Sequence, residues 1–292
     1  SEKASELSIY YPDDNPVELP DGLEFNELLI DKMYTSIKGP FLSKDMEGGG
    51  RGSNAWTVSA SNSSTGRPIL CNDTHLILST PGVWYLNHLY SNEGIHVTGA
   101  SLPGLNGILI GHNEKIAWGI TLAYLDVEDI FIEKIDVTDK NKYIFCNKSI
   151  EFHILQEVIK VKDKQEHIET VKSTIHGPII GDVIANYENK YISLSSKALD
   201  EMNLFKAIYD LNRSENLNDF STAVDLIKAP QLNFVYSDIK GNIGLFVSGR
   251  VPIRKKGNGQ LPVKGWTGEY EWIDEIPIID MPKSVNPQKG YL

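Results

Sequence analysis

The strongest constraint in this sequence is the run MEGGGRGSN at residues 46–54. Three consecutive glycines, then Arg51 and Gly52, make a flexible and exposed joint. The texture of the chain changes across it. Before the joint, PDDNPVELPDG reads as extended loop, because its prolines disfavour helix. FNELLIDKMYTSI (25–37) has the apolar spacing of one amphipathic helix. After the joint, strand patterns take over. AWTVSASN predicts a strand, STGRP a turn, and ILCNDTHLIL a second strand. GILIGHNEKIAWGIT predicts two short strands around a tight turn at His112 and Asn113.

DIFIEKID alternates strictly, as does much of YIFCNKSIEFHILQEVIKVK. Residues 199–228 switch to helical spacing, with Leu204, Ile208 and Leu211 on one face. Ser221 to Lys228 continue as a second helix after an Asn-rich break. NFVYSDIKGNIGLFVSG is a hairpin signal with a KGN turn. The tail from Gly265 to Leu292 reads as proline-rich loop. Strands in the middle and a late helical pair predict an α+β layered fold with large, mainly antiparallel sheets.

Composition narrows the function classes. At 41% hydrophobic and 23% charged, the 292 residues have enough apolar mass for a real core and are not a disordered chain. With 39 acidic residues against 28 basic ones, an electrostatic grip on nucleic acid or anionic lipid is disfavoured. No apolar run approaches the roughly 20 residues that span a bilayer. The first residues, SEKASELSIYYPDD, carry no signal-peptide pattern. The two cysteines, Cys71 and Cys146, are too few for a disulfide framework. They form one bridge if they meet in space and are otherwise two small buried thiols.

Ser53 is the candidate for chemistry; the alternative is that a serine after a glycine-rich stretch is a plain loop residue. Ser53 opens a strand directly after the flexible joint, so the Gly52–Ser53 peptide bond can be distorted and attacked. Attack by Ser53 Oγ on the Gly52 carbonyl would turn the amide into an ester, and hydrolysis would leave Ser53 as a new N-terminus. A free α-amine titrates near 7.7–8. A serine hydroxyl needs an adjacent base, and an N-terminal serine carries one on the same residue.

GGGRGSNAW (48–56) resembles the processing junction of the penicillin acylase family, which belongs to the N-terminal-nucleophile hydrolases. The resemblance continues through RPILCNDTHL (67–76), PGVWYLNHL (81–89), PGLNGILIGHNEKIAWGIT (103–121), DVEDIF (126–131), HGPII (176–180), QLNFVYSDIKGNIG (231–244) and NPQKGYL (286–292). It implies a four-layer αββα sandwich, here an incomplete part of it. It also implies a division at the joint. Residues 1–52 would be the end of a first subunit plus linker, and 53–292 the first part of a nucleophile-bearing second subunit.

The resemblance further implies an amidohydrolase that cleaves linear acyl amides through an acyl-enzyme. Candidate substrates are penicillin or cephalosporin side chains and N-acyl-homoserine lactones. Ser53 is the implied nucleophile and its freed amine the base, while His75 orients the nucleophile and has the titration range for it. The backbone N–H of Leu122, four residues after Trp118, is the implied oxyanion donor. Trp56, Trp84 and Leu122 are candidate pocket residues. Asp126, Glu128 and Asp129 are candidate ligands for a structural Ca²⁺, since carboxylates at this density suit a hard cation; the alternative is a solvated acidic turn. His112 and Asn113 read as scaffold, and Arg250 and Arg254 as solvated surface residues.

No cofactor is required by this chemistry. Family members are often periplasmic or secreted, which sets the expectation for localisation. The family supplies a second oxyanion donor, an asparagine, and a supporting arginine beyond the position matching Leu292. The expected partner is therefore the remainder of both subunits. The rival reading is a fragment or binding domain that keeps the fold, uncut and without the reaction.

Overall fold

In a computed structural model of the chain, residues 52–76, 79–181 and 191–292 are described. The predicted helix over 25–37 and all but the last residue of the 1–52 segment lie outside them. The rest falls into two compact units. One comprises residues 52–125, Lys197–Val251 and Ile276–Leu292, and the other Asp126–Ser196 and Pro252–Glu275.

The first unit begins with β1 (Gly52–Val58) paired antiparallel to β2 (Ile69–His75). Its main element is a seven-stranded sheet. That sheet includes β3 (Tyr85–Ser91), β4 (Ile95–Ser101), β5 (Ile110–Asn113) and β6 (Ile116–Leu122). The hairpin Leu232–Asp238 and Ile243–Val247 follows β6, and Lys283–Val285 closes the far edge. Every neighbouring pair in the sheet is antiparallel. The predicted loop character of the tail is thus corrected. Lys283–Val285 is a strand because Ile243–Val247, some forty residues earlier, offers it an edge, a signal that no local window contains.

Two helices cover one face of this sheet. Helix α1 (Leu204–Arg213) starts where the Asn203 side chain accepts a hydrogen bond from the Lys206 N–H. Its Ala207, Ile208 and Leu211 are buried. Helix α2 (Leu217–Asp225) begins four residues before the predicted Ser221 start. The reason is Asn216, whose side chain accepts from the Asn218 and Asp219 N–H groups and fixes the first turn. The apolar faces of the helices meet Trp118, Ile120, Phe234, Tyr236 and Phe246 of the sheet. Phe220 sits at the centre, 4.7 Å from the Tyr236 ring and 5.6 Å from that of Phe246. Each such fully buried side chain contributes on the order of 1.5–3 kcal/mol.

Asn113 ties α1 to the sheet, as expected of scaffold. Its Nδ2 donates to the carbonyls of Asn212 and Ser214, while its Oδ1 accepts from the Lys115 and Ile116 N–H groups. On another side of β6 lies the β1–β2 pair, which packs against β6.

In the second unit, Glu128–Ile132 is the middle strand of three. It runs antiparallel to Ile192–Ser196 and parallel to Val263–Lys264. Phe131, Val263 and Tyr270 form a small core here. His153–Ile159 and His167–Thr174 form a hairpin that is exposed along most of its length. Cys71 and Cys146 are both free thiols. Cys146 is exposed, not buried as expected, because it sits at a turn with φ 48°. No helix among the described residues is long and apolar enough to cross a membrane.

Candidate active site

Ser53 is the second residue of β1, and its burial is set by strand parity. Ser53, Ala55 and Thr57 turn to the more buried face, while Asn54 and Trp56 turn out and are exposed. Ser53 Oγ donates a hydrogen bond to the Gly52 carbonyl at 2.7 Å. The hydroxyl oxygen is therefore held beside the carbonyl group of the peptide bond that precedes it. Trp56, 44% exposed, stands on the opposite face of β1 from Ser53. A period of two separates positions 53 and 56, so this candidate pocket residue is not brought to the hydroxyl.

His75 ends β2 and pairs across the ladder with Gly52. Its Nδ1 lies 3.9 Å from the point that a Cβ on Gly52 would occupy, so the imidazole edge faces the Gly52 backbone. Its Nε2 is 2.9 Å from Asp73 Oδ2. Asp73 is two residues back on the same strand face, and its carboxylate fixes the imidazole orientation. Asp73 was not singled out from the sequence, although the D-x-H spacing of a strand is the signal that finds it.

The register of β6 places Leu122. The Ala123 N–H donates to the Gln231 carbonyl, and the Ile239 N–H to the Lys115 carbonyl. In an antiparallel ladder this makes the odd-numbered residues of β6 the hydrogen-bonded partners of Leu232–Asp238. Trp118 and Ile120 therefore direct their N–H and C=O groups to the opposite edge, and Leu122 its N–H, while the Leu122 carbonyl accepts from Asn233 Nδ2 at 3.2 Å. Pairing with β5 ends at Trp118. Past it, the Ile120 N–H donates to Asn72 Oδ1 at 2.9 Å, and Asn72 Nδ2 donates to the Ile120 carbonyl at 3.0 Å. The same Nδ2 also donates to the Asn54 carbonyl at 2.9 Å. The Leu122 N–H lies two residues further along this edge, and its half-exposed side chain ends the strand. Trp84 packs against the core that the helices cover.

The acidic run in the second unit is arranged around a residue expected to be solvated. Arg254 bridges Asp126 and Asp129. Its Nη2 is 3.1 Å from Asp126 Oδ1, its Nε 2.8 Å from Asp129 Oδ2, and its Nη2 3.0 Å from Asp129 Oδ1. The Trp272 indole N–H also donates to Asp129. Glu128 is turned away and accepts from the Ser196 hydroxyl at 2.8 Å. As placed, these donors fit a guanidinium and not a divalent ion: both oxygens of Asp129 are engaged, and Glu128 does not join them. Among the described residues no three His, Cys, Asp or Glu side chains converge as a metal would require. Burial pushes the Asp126 carboxyl up, and the like charge of Asp129 adds to this against the pull of Arg254. Arg250 likewise is not free in solvent, since it donates to the Asp225 carbonyl at 2.9 Å.

A third polar cluster went unread in the sequence. His176 lies flat on Phe131, with ring centroids 3.9 Å apart. Its Nδ1 is 2.8 Å from Glu133 Oε1 and its Nε2 3.1 Å from Glu271 Oε1. The Thr174 and Ser193 hydroxyls donate to the same Glu133 oxygen. Burial works against charge on His176, but the two carboxylates outweigh it and raise its pKa to about 9. Burial would push Glu133 up, yet hydrogen bonding and the charge of His176 bring it below the usual range.

Comparison with known proteins gives one consistent result. The family profile of penicillin amidase matches residues 2–292. The acyl-homoserine lactone acylase QuiP of Pseudomonas aeruginosa is 29% identical over 317 aligned positions, covering 100% of this chain and 36% of that protein. Penicillin acylase 2 proenzyme of Pseudomonas sp. strain SE83 is 31% identical, covering 94% of this chain and 36% of the proenzyme. Among solved structures, thermostable penicillin G acylase from Alcaligenes faecalis superposes with a TM-score of 0.72 at 26% identity, over 82% of this chain and 43% of that one. The chain belongs to the penicillin amidase family, and its fold is that of the acylase it superposes on. It spans about a third of the length of these two curated relatives.

Proposed function

We propose that this chain carries the nucleophile of an acyl-amide hydrolase, and that it exposes that nucleophile by cutting its own Gly52–Ser53 bond. The observation that carries the reading is the placement of Ser53 Oγ against the Gly52 carbonyl, within a chain of this family. In the cutting step Oγ attacks the Gly52 carbonyl carbon. The C–O bond forms, the C–N bond breaks, and the Ser53 nitrogen takes up the proton that Oγ releases. Water then hydrolyses the ester, leaving a Gly52 carboxylate and a free Ser53 amine. His75, held by Asp73, faces the Gly52 backbone from the strand face opposite Ser53, so it is read as orienting the scissile peptide while the proton passes from Oγ to the Ser53 nitrogen.

In turnover the freed amine takes the Ser53 hydroxyl proton as Oγ attacks the substrate amide. The Leu122 N–H faces the developing oxyanion. The amine product leaves with a proton, and water releases the acid from the acyl-enzyme. The named relatives comprise a penicillin acylase and an acyl-homoserine lactone acylase, so the substrate is read as an acyl amide with a lipophilic acyl group. Because the chain spans about a third of their length, turnover is read as needing the remaining length of the family's protein.

Intact mass and N-terminal sequencing of the purified chain test the reading. The expected result is two fragments, one beginning Ser-Asn-Ala-Trp, with no cutting in Ser53→Ala. Cutting that persists in Ser53→Ala sinks the assignment. Hydrolysis of a chromogenic phenylacetyl amide and of a long-chain acyl-homoserine lactone, assayed with the rest of the protein supplied, then distinguishes the acyl classes.

A further inference from the structure

We infer that the Asn72 carboxamide is a positioning group that fixes the Ser53 strand to the edge carrying the Leu122 N–H; this rests on the reading of Ser53 and Leu122 given above. The edge of β6 beyond Trp118 has an empty slot. β5 pairs with β6 only as far as Trp118, yet Ile120 still directs an N–H and a C=O to that edge. Left unpaired, these groups would cost stability. The Asn72 side chain fills the slot with one donor and one acceptor, as a peptide group of an adjoining strand would. Its second donor contact, to the Asn54 carbonyl, reaches the residue next to Ser53.

One planar amide thus connects the backbone one residue after the nucleophile to the backbone two residues before the oxyanion donor. The approach is close. A Cβ on Gly119 would come within 2.8 Å of Asn72 Cβ, so the absence of a side chain at 119 is what lets the amide in. The two catalytic groups lie on separate β-ladders that share no backbone pairing. Asn72 is the side chain that sets their spacing. Misplacement by about 1 Å can cost on the order of 100-fold in rate.

Two variants separate positioning from folding. Asn72→Ala removes the link. Asn72→Asp keeps the shape and the acceptor but loses the amide donors, and a protonated carboxyl restores one of them. The first readout is hydrogen exchange at the Ile120 amide. It is expected to lose protection in Asn72→Ala and to keep it in Asn72→Asp. The second is kcat for hydrolysis of a chromogenic phenylacetyl amide by the cut protein, with the rest of the protein supplied, at matched thermal stability. It is expected to fall about 100-fold in Asn72→Ala. The ratio of Asn72→Asp to wild-type rate should rise as pH drops into the carboxyl range.

Unchanged Ile120 protection in Asn72→Ala overturns the link itself. Lost protection with an unchanged kcat overturns the positioning role. A wild-type chain that stays uncut while Ile120 remains protected through Asn72 overturns the reading of Ser53, and the positioning role with it.

Discussion

Replacing His176 by glutamine should remove a pH-dependent part of the stability of the unit built from Asp126–Ser196 and Pro252–Glu275. The histidine side chain is 3% exposed and sits between Glu133, fully buried, and Glu271. Its pKa rises from 6.5 to about 9 on folding. At 1.36 kcal/mol per pH unit, that is about 3 kcal/mol of preference for the charged form in the folded state. A raised folded pKa contributes stability that is fully present below about 6.5 and is lost as pH climbs through about 9. Glu133 is shifted the other way, so its share is present above the ordinary carboxylate range and is lost in acid. Urea unfolding of wild type and His176→Gln between pH 5.5 and 10, followed by tryptophan fluorescence, measures the difference. It should be about 3 kcal/mol at pH 6, on the order expected when one partner of a buried ion pair is removed. It should then shrink across pH 7–9. A gap that stays constant over this range would refute the electrostatic argument and leave only the stacking of the ring on Phe131.

The other polar nodes make equally direct predictions. Arg254→Met leaves Asp126 and Asp129 without their counter-charge. Thermal unfolding should show a loss of about 3–5 kcal/mol, and millimolar Ca²⁺ should recover part of it in the variant while leaving wild type unmoved by either Ca²⁺ or chelator. Asn113→Ala removes four hydrogen bonds that join β5, β6 and the end of α1. With three of these bonds partly buried and each hydrogen bond contributing about 0.5–1.5 kcal/mol, the variant should unfold below wild type in a urea titration.

Much of the first unit was legible because its signals are local. The hairpin Leu232–Asp238 and Ile243–Val247 announces itself by alternation and a KGN turn, and α1 by three leucine-type positions on one face. Ser53 stands out because a glycine-rich joint gives way to a strand at that residue. What the sequence left hidden depends on partners far away. Arg254 reads as a surface residue until Asp129, 125 positions earlier, is brought to it. Lys283–Val285 reads as loop until an open edge accepts it. The start of α2 is a different failure, because Asn216 is a capping residue in plain view within a segment whose apolar pattern draws the eye to Ser221.

The Trp56 and Asp73 cases show how far strand parity alone can go. In a strand, residues two apart share a face and residues an odd number apart do not. Applied to β1, that rule sets Trp56 away from Ser53; applied to β2, it puts Asp73 beside His75. Both conclusions follow once Gly52–Val58 and Ile69–His75 are accepted as strands. Asn72 needs one step more. Its side chain matters because a third strand, β6, has run out of a neighbour at Trp118, and because residue 119 is a glycine. Ser53 at a strand terminus and the Leu122 N–H on a separate ladder share no backbone pairing, and the Asn72 side chain spans the two backbones. A carboxamide, carrying a donor and an acceptor in one plane, is the side chain best suited to take the place of a missing peptide unit.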